Sequence, residues 1–325
     1  MRVTSLAHSN IALIKYWGRS DSSLRLPLNG SISMNLSNLQ TVTTVEFSPE
    51  YKSDDVTIDG EKNEKEIKRV ADHLNRIRLL AKSGLFAKIV SKNNFPSSSG
   101  LSSSASGFAA LTLAASVSLG LKLDTRKVSV LARLASGSAC RSIPGGFVEW
   151  RTSDNSEDSY AYTLFPQNHW KLLDIVAVVG SLKKSVPTSV AQENVFTSPF
   201  IKSRISLIAE KIKKLKNAVS QRDFFQFGEI VESEALELHA VIMTQTPSLI
   251  YFLPETVALF HQIRSWRKNG LIVYFSVNTG HDVHLFCLQK DQQIVLDKLN
   301  SLSYVKKTIS NFPAGPAKII DRHLF

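Results

Sequence analysis

Three short segments combine residue types that could hold and move an anionic group. The first is Pro96-Ser97-Ser98-Ser99-Gly100-Leu101-Ser102-Ser103-Ser104-Ala105, between an apolar strand pattern at 85–91 and an Ala- and Leu-rich helical pattern at 106–119. A small-residue turn from strand to helix gathers backbone N–H groups and the positive end of the helix dipole at one point, a geometry that binds phosphate. Gly100 permits close backbone approach, and Ser102, Ser103 and Ser104 carry hydroxyls that can meet phosphate oxygens or a magnesium ion. Serines are equally favoured as helix caps. With neither GxxxxGKS/T nor GxGxxG present, composition leaves a capped helix and a phosphate loop evenly matched.

The second segment, SGSACRSIPGG at 136–146, packs small residues around Arg141. Small neighbours leave room for a ligand, and a planar, permanently charged guanidinium can grip carboxylate or phosphate with two parallel bonds. An isolated arginine is more often a surface ion pair. The third, NIALIKYWGR at 10–19, sets Lys15 in an apolar run, where a charge is costly unless paired or employed. An alternating strand could equally turn Lys15 to solvent. Tyr16 and Arg19 add a hydroxyl and a second cation, although a Tyr-Trp pair is commonly packing. His8, His239, His281 and His284 are dispersed without metal spacing, and His284 reads as a satisfied surface histidine.

These segments need a scaffold. Residues 1–60 carry strand patterns at 2–7, 31–36 and 41–47, with Asp59-Gly60 as a hairpin turn. Apolar residues at helical spacing mark helices at 61–83, 126–135, 201–218, 223–243, 255–266 and 292–299. Further strands are expected at 147–151, 161–165, 173–179, 271–277, 283–288 and 305–309, with a Gly-containing turn at 278–282. The mixture predicts an α+β protein of two domains, 1–180 and 181–325.

The chain has 325 residues, 43% of them hydrophobic, enough for a substantial core. Lys and Arg outnumber Asp and Glu by 39 to 28, so anionic partners are favoured. The basic residues are scattered over likely helix faces at 62–78, 202–216 and 264–268, without an arginine-rich run or zinc-finger spacing. A small phosphorylated substrate therefore fits better than nucleic acid. Cys140 and Cys287 form no ligand pattern and read as reduced core residues. No apolar run of membrane-spanning length and no signal-like start occur, so a soluble, cytoplasmic protein is expected.

The segments NIALIKYWG at 10–18, LPLNGSIS at 26–33, NNFPSSSGLSSSASG at 93–107, SGSACRS at 136–142 and GGFVEW at 145–150 occur in one order. In that order they resemble the diphosphomevalonate decarboxylases of the GHMP kinase superfamily. The resemblance implies a ribosomal protein S5 domain 2-like N-terminal domain, a ferredoxin-like C-terminal domain, an active site between them and a homodimer. It also implies ATP and Mg2+: the 3-hydroxyl of mevalonate 5-diphosphate is phosphorylated, and phosphate and carbon dioxide then leave to give isopentenyl diphosphate. By match to the motif, residues 96–105 bind the nucleotide, with Ser103 and Ser104 meeting triphosphate and magnesium. Lys15 neutralises charge at the transferred phosphoryl group, and Arg141 holds the substrate carboxylate. Tyr16, Arg19, Ser136 and Ser138 bind the 5-phosphate end and mevalonate backbone, with Ser189 beside them.

Two departures stand out. Where the family has Asp-Ala-Gly-Pro-Asn, this chain has Asn278-Thr-Gly-His-Asp282, so acid and amide have changed places. Asp282 could take the acidic role, Asn278 could only orient the hydroxyl, or the substrate could arrive already 3-phosphorylated, as in bisphosphomevalonate decarboxylases. Orientation by Asn278 is preferred, because a loose phosphoryl transfer needs little base and the phosphate loop argues for ATP. Ser189 stands where many bacterial relatives carry arginine, which keeps a decarboxylase of mevalonate 5-phosphate as an alternative. A non-catalytic ligand-binding relative is the reading from another class, and intact Lys15 and Arg141 weigh against it.

Overall fold

The structure, a computed structural model, describes residues 1–96, 100–180 and 186–325. Its first sheet is built on two long antiparallel strands, β1 (Arg2–Ile14) and β4 (Ser31–Ser48), in register from Arg2↔Glu46 to Ile14↔Ile32. A small ribbon, β2 (Arg19–Asp21) with β3 (Leu26–Pro27), joins them. β5 (Asp55–Ile58) runs into the tight turn at Asp59 and Gly60, both at positive φ, across which Ile58 and Glu61 exchange backbone hydrogen bonds at 2.9 Å, and it pairs in parallel with a later strand. α1 (Glu64–Ala81), β6 (Phe86–Asn93), α2 (Ser103–Ser118), α3 (Thr125–Ala135), β7 (Phe147–Trp150) and β8 (Ala161–Phe165) complete the run.

Side-chain alternation explains why this unit closes. Val3, Ser5, Ala7 and Ser9 fall on one face of β1. Val3 and Ala7 join the apolar cluster of α2, while Ser5 Oγ donates to Ala110 O at 2.6 Å and Ser9 Oγ to Leu101 O at 2.6 Å. Buried hydroxyls are thus satisfied by the backbone they pack against, avoiding a cost of about 1–3 kcal/mol each. Two irregularities in the β1–β4 register, between His8 and Asn10 and between Ala12 and Ile14, bend the strand just before Lys15.

The second sheet begins with β9 (Leu172–Val178). After α4 (Thr188–Ala191), α5 (Ile201–Gln221), α6 (Phe224–Thr244) and α7 (Pro254–Lys268) come β10 (Tyr274–Ser276), β11 (Val283–Leu288), α8 (Gln292–Asn300) and β12 (Lys307–Asn311). The order is β10-β11-β9-β12, antiparallel throughout. Leu173, Ile175 and Ala177 pack on α7 and α8 through Leu259, Ile263 and Val295. Leu172, Val176 and Val178 face the other way, into a cluster shared with Phe224 and Phe227 of α6 and with Ile11, Leu13 and Ile14 of β1. One apolar core therefore runs continuously from the first unit into the second.

Several expectations shift. β9 belongs to the second sheet, and β13 (Lys318–Ile320) returns from the C-terminal tail to pair with β1 at Thr4↔Ile320. The strand expected at 271–277 is confined to Tyr274–Ser276. His284 is buried, not on the surface, with Nδ1 2.9 Å from Asp174 Oδ1. Cys140 and Cys287 are free and buried, as expected.

Candidate active site

A cavity of about 500 Å³ opens between the two units, with Lys15 in its wall. Lys15 follows the end of β1 and is 2% exposed. Its position is set through its backbone. Its N–H donates to Glu234 Oε1 of α6 at 3.0 Å, and its carbonyl accepts from Asn29 Nδ2 and from Arg204 Nη2 of α5, each at 2.9 Å. Glu234 also pairs with Arg204 and with Lys211, so its own buried charge is compensated. Lys15 Nζ donates to Ala12 O at 2.6 Å and Ser276 Oγ at 2.8 Å, with no carboxylate among the described residues in contact. Burial pushes the ammonium down to about 7, against the pull of Glu234 and with added repulsion from Arg141 and Arg204.

Arg141 sits in a 3-10 turn, Gly137–Ser142, and is 3% exposed. Its Nη1 donates to Ser31 Oγ at 2.8 Å and its Nη2 to Asn10 Oδ1 at 3.3 Å, while Nε has no partner among the described residues. Among the described residues only neutral groups hold this guanidinium, which leaves its charge for a ligand. Tyr16 packs its ring on Trp150 with centroids 4.6 Å apart, and its hydroxyl accepts from Arg19 Nε at 3.1 Å. Gly137 is needed here, because a Cβ would lie 2.7 Å from Tyr16 Cε1.

The start of α2 carries no side-chain cap, as is also true of α5 and α8. α1, α3 and α6 are capped by the side chains of Asn63, Asp124 and Asp223. Ser102, at the corresponding position of α2, adopts φ 57 and makes no capping bond despite its hydroxyl. Such a cap contributes about 1 kcal/mol, and forgoing it leaves the helix start open to the cavity, which Gly100, Ser102, Ser103 and Ser104 line. Gly100, at φ +103, crosses the second unit so closely that a Cβ would lie 2.8 Å from Gly280 Cα.

Asn278 closes the arrangement. Its Nδ2 donates to Ser102 Oγ at 3.1 Å, and its Oδ1 accepts from Ala12 N at 3.4 Å. The Asn278 carbonyl accepts from His239 Nε2 at 2.9 Å, which fixes the imidazole tautomer; burial lowers His239 to about 4. Asp282 lies outside the cavity lining, its Oδ1 accepting from Val179 N at 3.2 Å.

The cavity thus brings together Lys15, Tyr16, Arg19, Gly100, Ser102, Ser103, Ser104, Ser136, Ser138, Arg141, Ser189 and Asn278. Ser136 Oγ and Ser138 Oγ are 3.4 Å apart, and Ser189 is exposed beside Thr188, whose hydroxyl meets that of Thr279 at 2.7 Å. Pro96, Leu101 and Ala105 do not line it; Leu101 and Ala105 are buried as packing, and Pro96 is exposed. Ser97, Ser98 and Ser99 lie outside the described residues. Sequence reasoning missed Arg25, Lys65 and Arg69 in the wall, and the supports Arg204, Glu234 and His239. The basic run at 62–78 held a signal for Lys65 and Arg69, but a solvated helix face has the same pattern.

A cleft lined by cations and opened on an uncapped helix start defines a protein that handles phosphorylated small molecules. Residues 7–161 match the diphosphomevalonate decarboxylase-like N-terminal domain, and residues 174–321 match the mevalonate 5-diphosphate decarboxylase C-terminal domain. Diphosphomevalonate decarboxylase of Debaryomyces hansenii is 34% identical over 316 residues, covering 90% of this chain and 81% of the relative. The crystal structure of mevalonate diphosphate decarboxylase from Staphylococcus aureus superposes with a TM-score of 0.93 at 33% identity, covering 98% of each chain. MDDEF in complex with MVAPP, AMPPCP and magnesium matches with a TM-score of 0.92 at 33% identity, over 98% of this chain and 99% of that one. The chain belongs to the diphosphomevalonate decarboxylase family, with its two-domain GHMP kinase fold.

Proposed function

We propose that this chain is an ATP-dependent decarboxylase that converts mevalonate 5-diphosphate to isopentenyl diphosphate through a 3-phosphorylated intermediate, in the mevalonate pathway of isoprenoid biosynthesis. The observation that carries it is the convergence of the open start of α2 with buried Lys15 and Arg141 in one cavity. The family membership and the MVAPP, AMPPCP and magnesium bound to MDDEF support it.

The site fits a nucleotide triphosphate. Backbone N–H groups at the start of α2 suit phosphate oxygens, with the hydroxyls of Ser102, Ser103 and Ser104, which line the cavity, beside them. Among the described residues no three His, Cys, Asp or Glu gather as ligands. That suits magnesium held mainly by phosphate oxygens and water, with Ser104 as its protein ligand. When bound, magnesium neutralises charge on the triphosphate.

The chain's own residues supply position and charge. In the first step the 3-hydroxyl oxygen bonds to the γ-phosphorus, the bond to ADP breaks, and the hydroxyl proton passes late to a phosphoryl oxygen. Lys15 offers a positive charge beside the transferring group, and the Asn278 amide orients the hydroxyl. A loose transition state asks for little base, so an amide suffices. In the second step the C3–O bond breaks with phosphate as leaving group, and the bond to the carboxylate supplies the electron pair of the new double bond as carbon dioxide departs. Arg141 fixes the carboxylate for that fragmentation. Tyr16, Arg19, Ser136, Ser138 and Ser189 take the 5-phosphate end.

The exposed, uncharged Ser189 favours a second reading, in which mevalonate 5-phosphate is the substrate and isopentenyl phosphate the product. Incubation with mevalonate 5-phosphate, 5-diphosphate and 3,5-bisphosphate, each with and without ATP and magnesium, separates the readings by carbon dioxide and ADP released. Carbon dioxide from no substrate overturns the proposal.

We place the domain division between Phe165 and Leu172, with β13 returned to the first domain, in keeping with the sheets. No helix among the described residues is long and apolar enough to cross a membrane. A cytoplasmic location accords with the two free, buried cysteines, and a homodimer follows from the resemblance.

A further inference from the structure

Arg25 is absent from every sequence motif above, yet it lines the cavity. It lies between β2 and β3, where the backbone takes φ 51, a left-handed conformation that a non-glycine residue adopts at a cost of about 1–2 kcal/mol. Its Nε donates to Leu134 O at 3.0 Å, two residues before Ser136. Arg19 is held in the same manner, by Nε alone, on the Tyr16 hydroxyl. Neither Nη1 nor Nη2 of either arginine meets a partner among the described residues, and no carboxylate pairs with either. Both are anchored at the base of the fork, leaving the two-pronged ends free.

Electrostatics sharpen the point. Burial and then the charge of Arg19 lower Arg25 to about 10, with Arg69 and Arg76 adding repulsion. The one carboxylate among the described lining residues, Glu66, is already engaged by Arg69 Nη1 at 2.9 Å. A guanidinium pair in a shared wall, mutually repelling and without a counter-charge, is stabilised when an anion bridges the two forks.

We propose that Arg25, together with Arg19, binds the distal phosphate of a diphosphorylated substrate and is the residue that makes the site prefer a diphosphate to a monophosphate. This rests on the decarboxylase reading above and selects its diphosphate form. It also supplies, from the β2–β3 ribbon, the cation that Ser189 does not.

The test replaces Arg25 by Gln and by Lys in the full chain, with thermal unfolding as a control for folding. For Arg25→Gln the expected result is a KM for mevalonate 5-diphosphate raised at least about tenfold, with kcat and the KM for ATP within about threefold; Arg25→Lys restores part of the loss. Binding of inorganic pyrophosphate and orthophosphate, followed by calorimetry, separates this proposal from the reaction itself. Weaker pyrophosphate binding in Arg25→Gln with orthophosphate unaffected supports the distal-phosphate role whether or not the wild type turns over. Unchanged pyrophosphate binding, or an equal loss for both anions, overturns it, and a raised KM for ATP alone would reassign Arg25 to the nucleotide.

Discussion

Asn278 Nδ2 donates to Ser102 Oγ across 3.1 Å, joining the turn before β11 to the start of α2. The bond ties the second unit to the helix start of the first, where Ser102, Ser103 and Ser104 line the cavity. An aspartate in place of Asn278 could still accept from Ala12 N and from the Ser102 hydroxyl, so Asn278→Asp is expected to fold normally and to change kcat by less than about threefold. Asn278→Ala loses orientation and is expected to lower kcat by about ten- to a hundredfold. Asp282→Asn, outside the cavity, should alter thermal stability rather than kcat. Steady-state kinetics and unfolding midpoints of the three variants distinguish these outcomes; a large gain of kcat in Asn278→Asp would show that base catalysis limits the reaction.

Lys15 should govern the alkaline limb of the pH profile. Its ammonium is held down to about 7 in the free protein, and the protonated form is the one that stabilises a transferring phosphoryl group. The charged fraction falls as pH rises through 7, so kcat/KM, which reports the free enzyme, should fall above about 7. Bound phosphate raises the ammonium's affinity for its proton, so kcat should fall only at higher pH. Lys15→Arg, charged at every accessible pH, should lack the descending limb even if its rate is lower, whereas Lys15→Ala should lose activity at all pH values.

Gly100 tests the approach of the two units. Gly100→Ala would force an L-residue to φ +103 and set its Cβ 2.8 Å from Gly280 Cα, against backbone that cannot rotate away. The variant is expected to lose about 1–2 kcal/mol or more of stability and to raise the KM for ATP at least about tenfold. An unaltered KM for ATP would place the nucleotide elsewhere.

His73 gives a prediction independent of the chemistry. It is fully buried, with Nε2 2.8 Å from Thr112 Oγ1 and Nδ1 without a partner among the described residues, and burial, reinforced by Arg76 and Arg25, lowers it to about 3. The unfolded chain binds a proton below about 6.5 that the folded chain refuses. Stability from this group is therefore complete above 6.5 and lost as pH falls toward 3, at about 1.4 kcal/mol per unit. Urea unfolding between pH 4 and 7 should show a slope shallower by about one proton in His73→Gln than in the wild type.

Much of this was legible in the sequence where chemistry and local pattern coincide. The strand-loop-helix order around Gly100 and Ser104 needs only neighbours in the chain, and helices such as Pro254–Lys268 announced themselves by apolar spacing. Residues that act through distant partners left no such trace. Lys15 is held by Glu234 and Arg204, each about two hundred positions away. β9 was recognisable as a strand but not as a member of the second sheet, because pairing with β11 and β12 is decided by contacts over a hundred residues apart. Arg25 sits in a short ribbon where a basic residue looks like any solvated charge.

The most direct measurement is the stoichiometry of carbon dioxide and ADP released from mevalonate 5-diphosphate with ATP and magnesium. Phosphorylation followed by decarboxylation at one site predicts equal amounts of the two, with neither formed when ATP is withheld. ADP without carbon dioxide, or carbon dioxide from the 3,5-bisphosphate alone and without ATP, would contradict it.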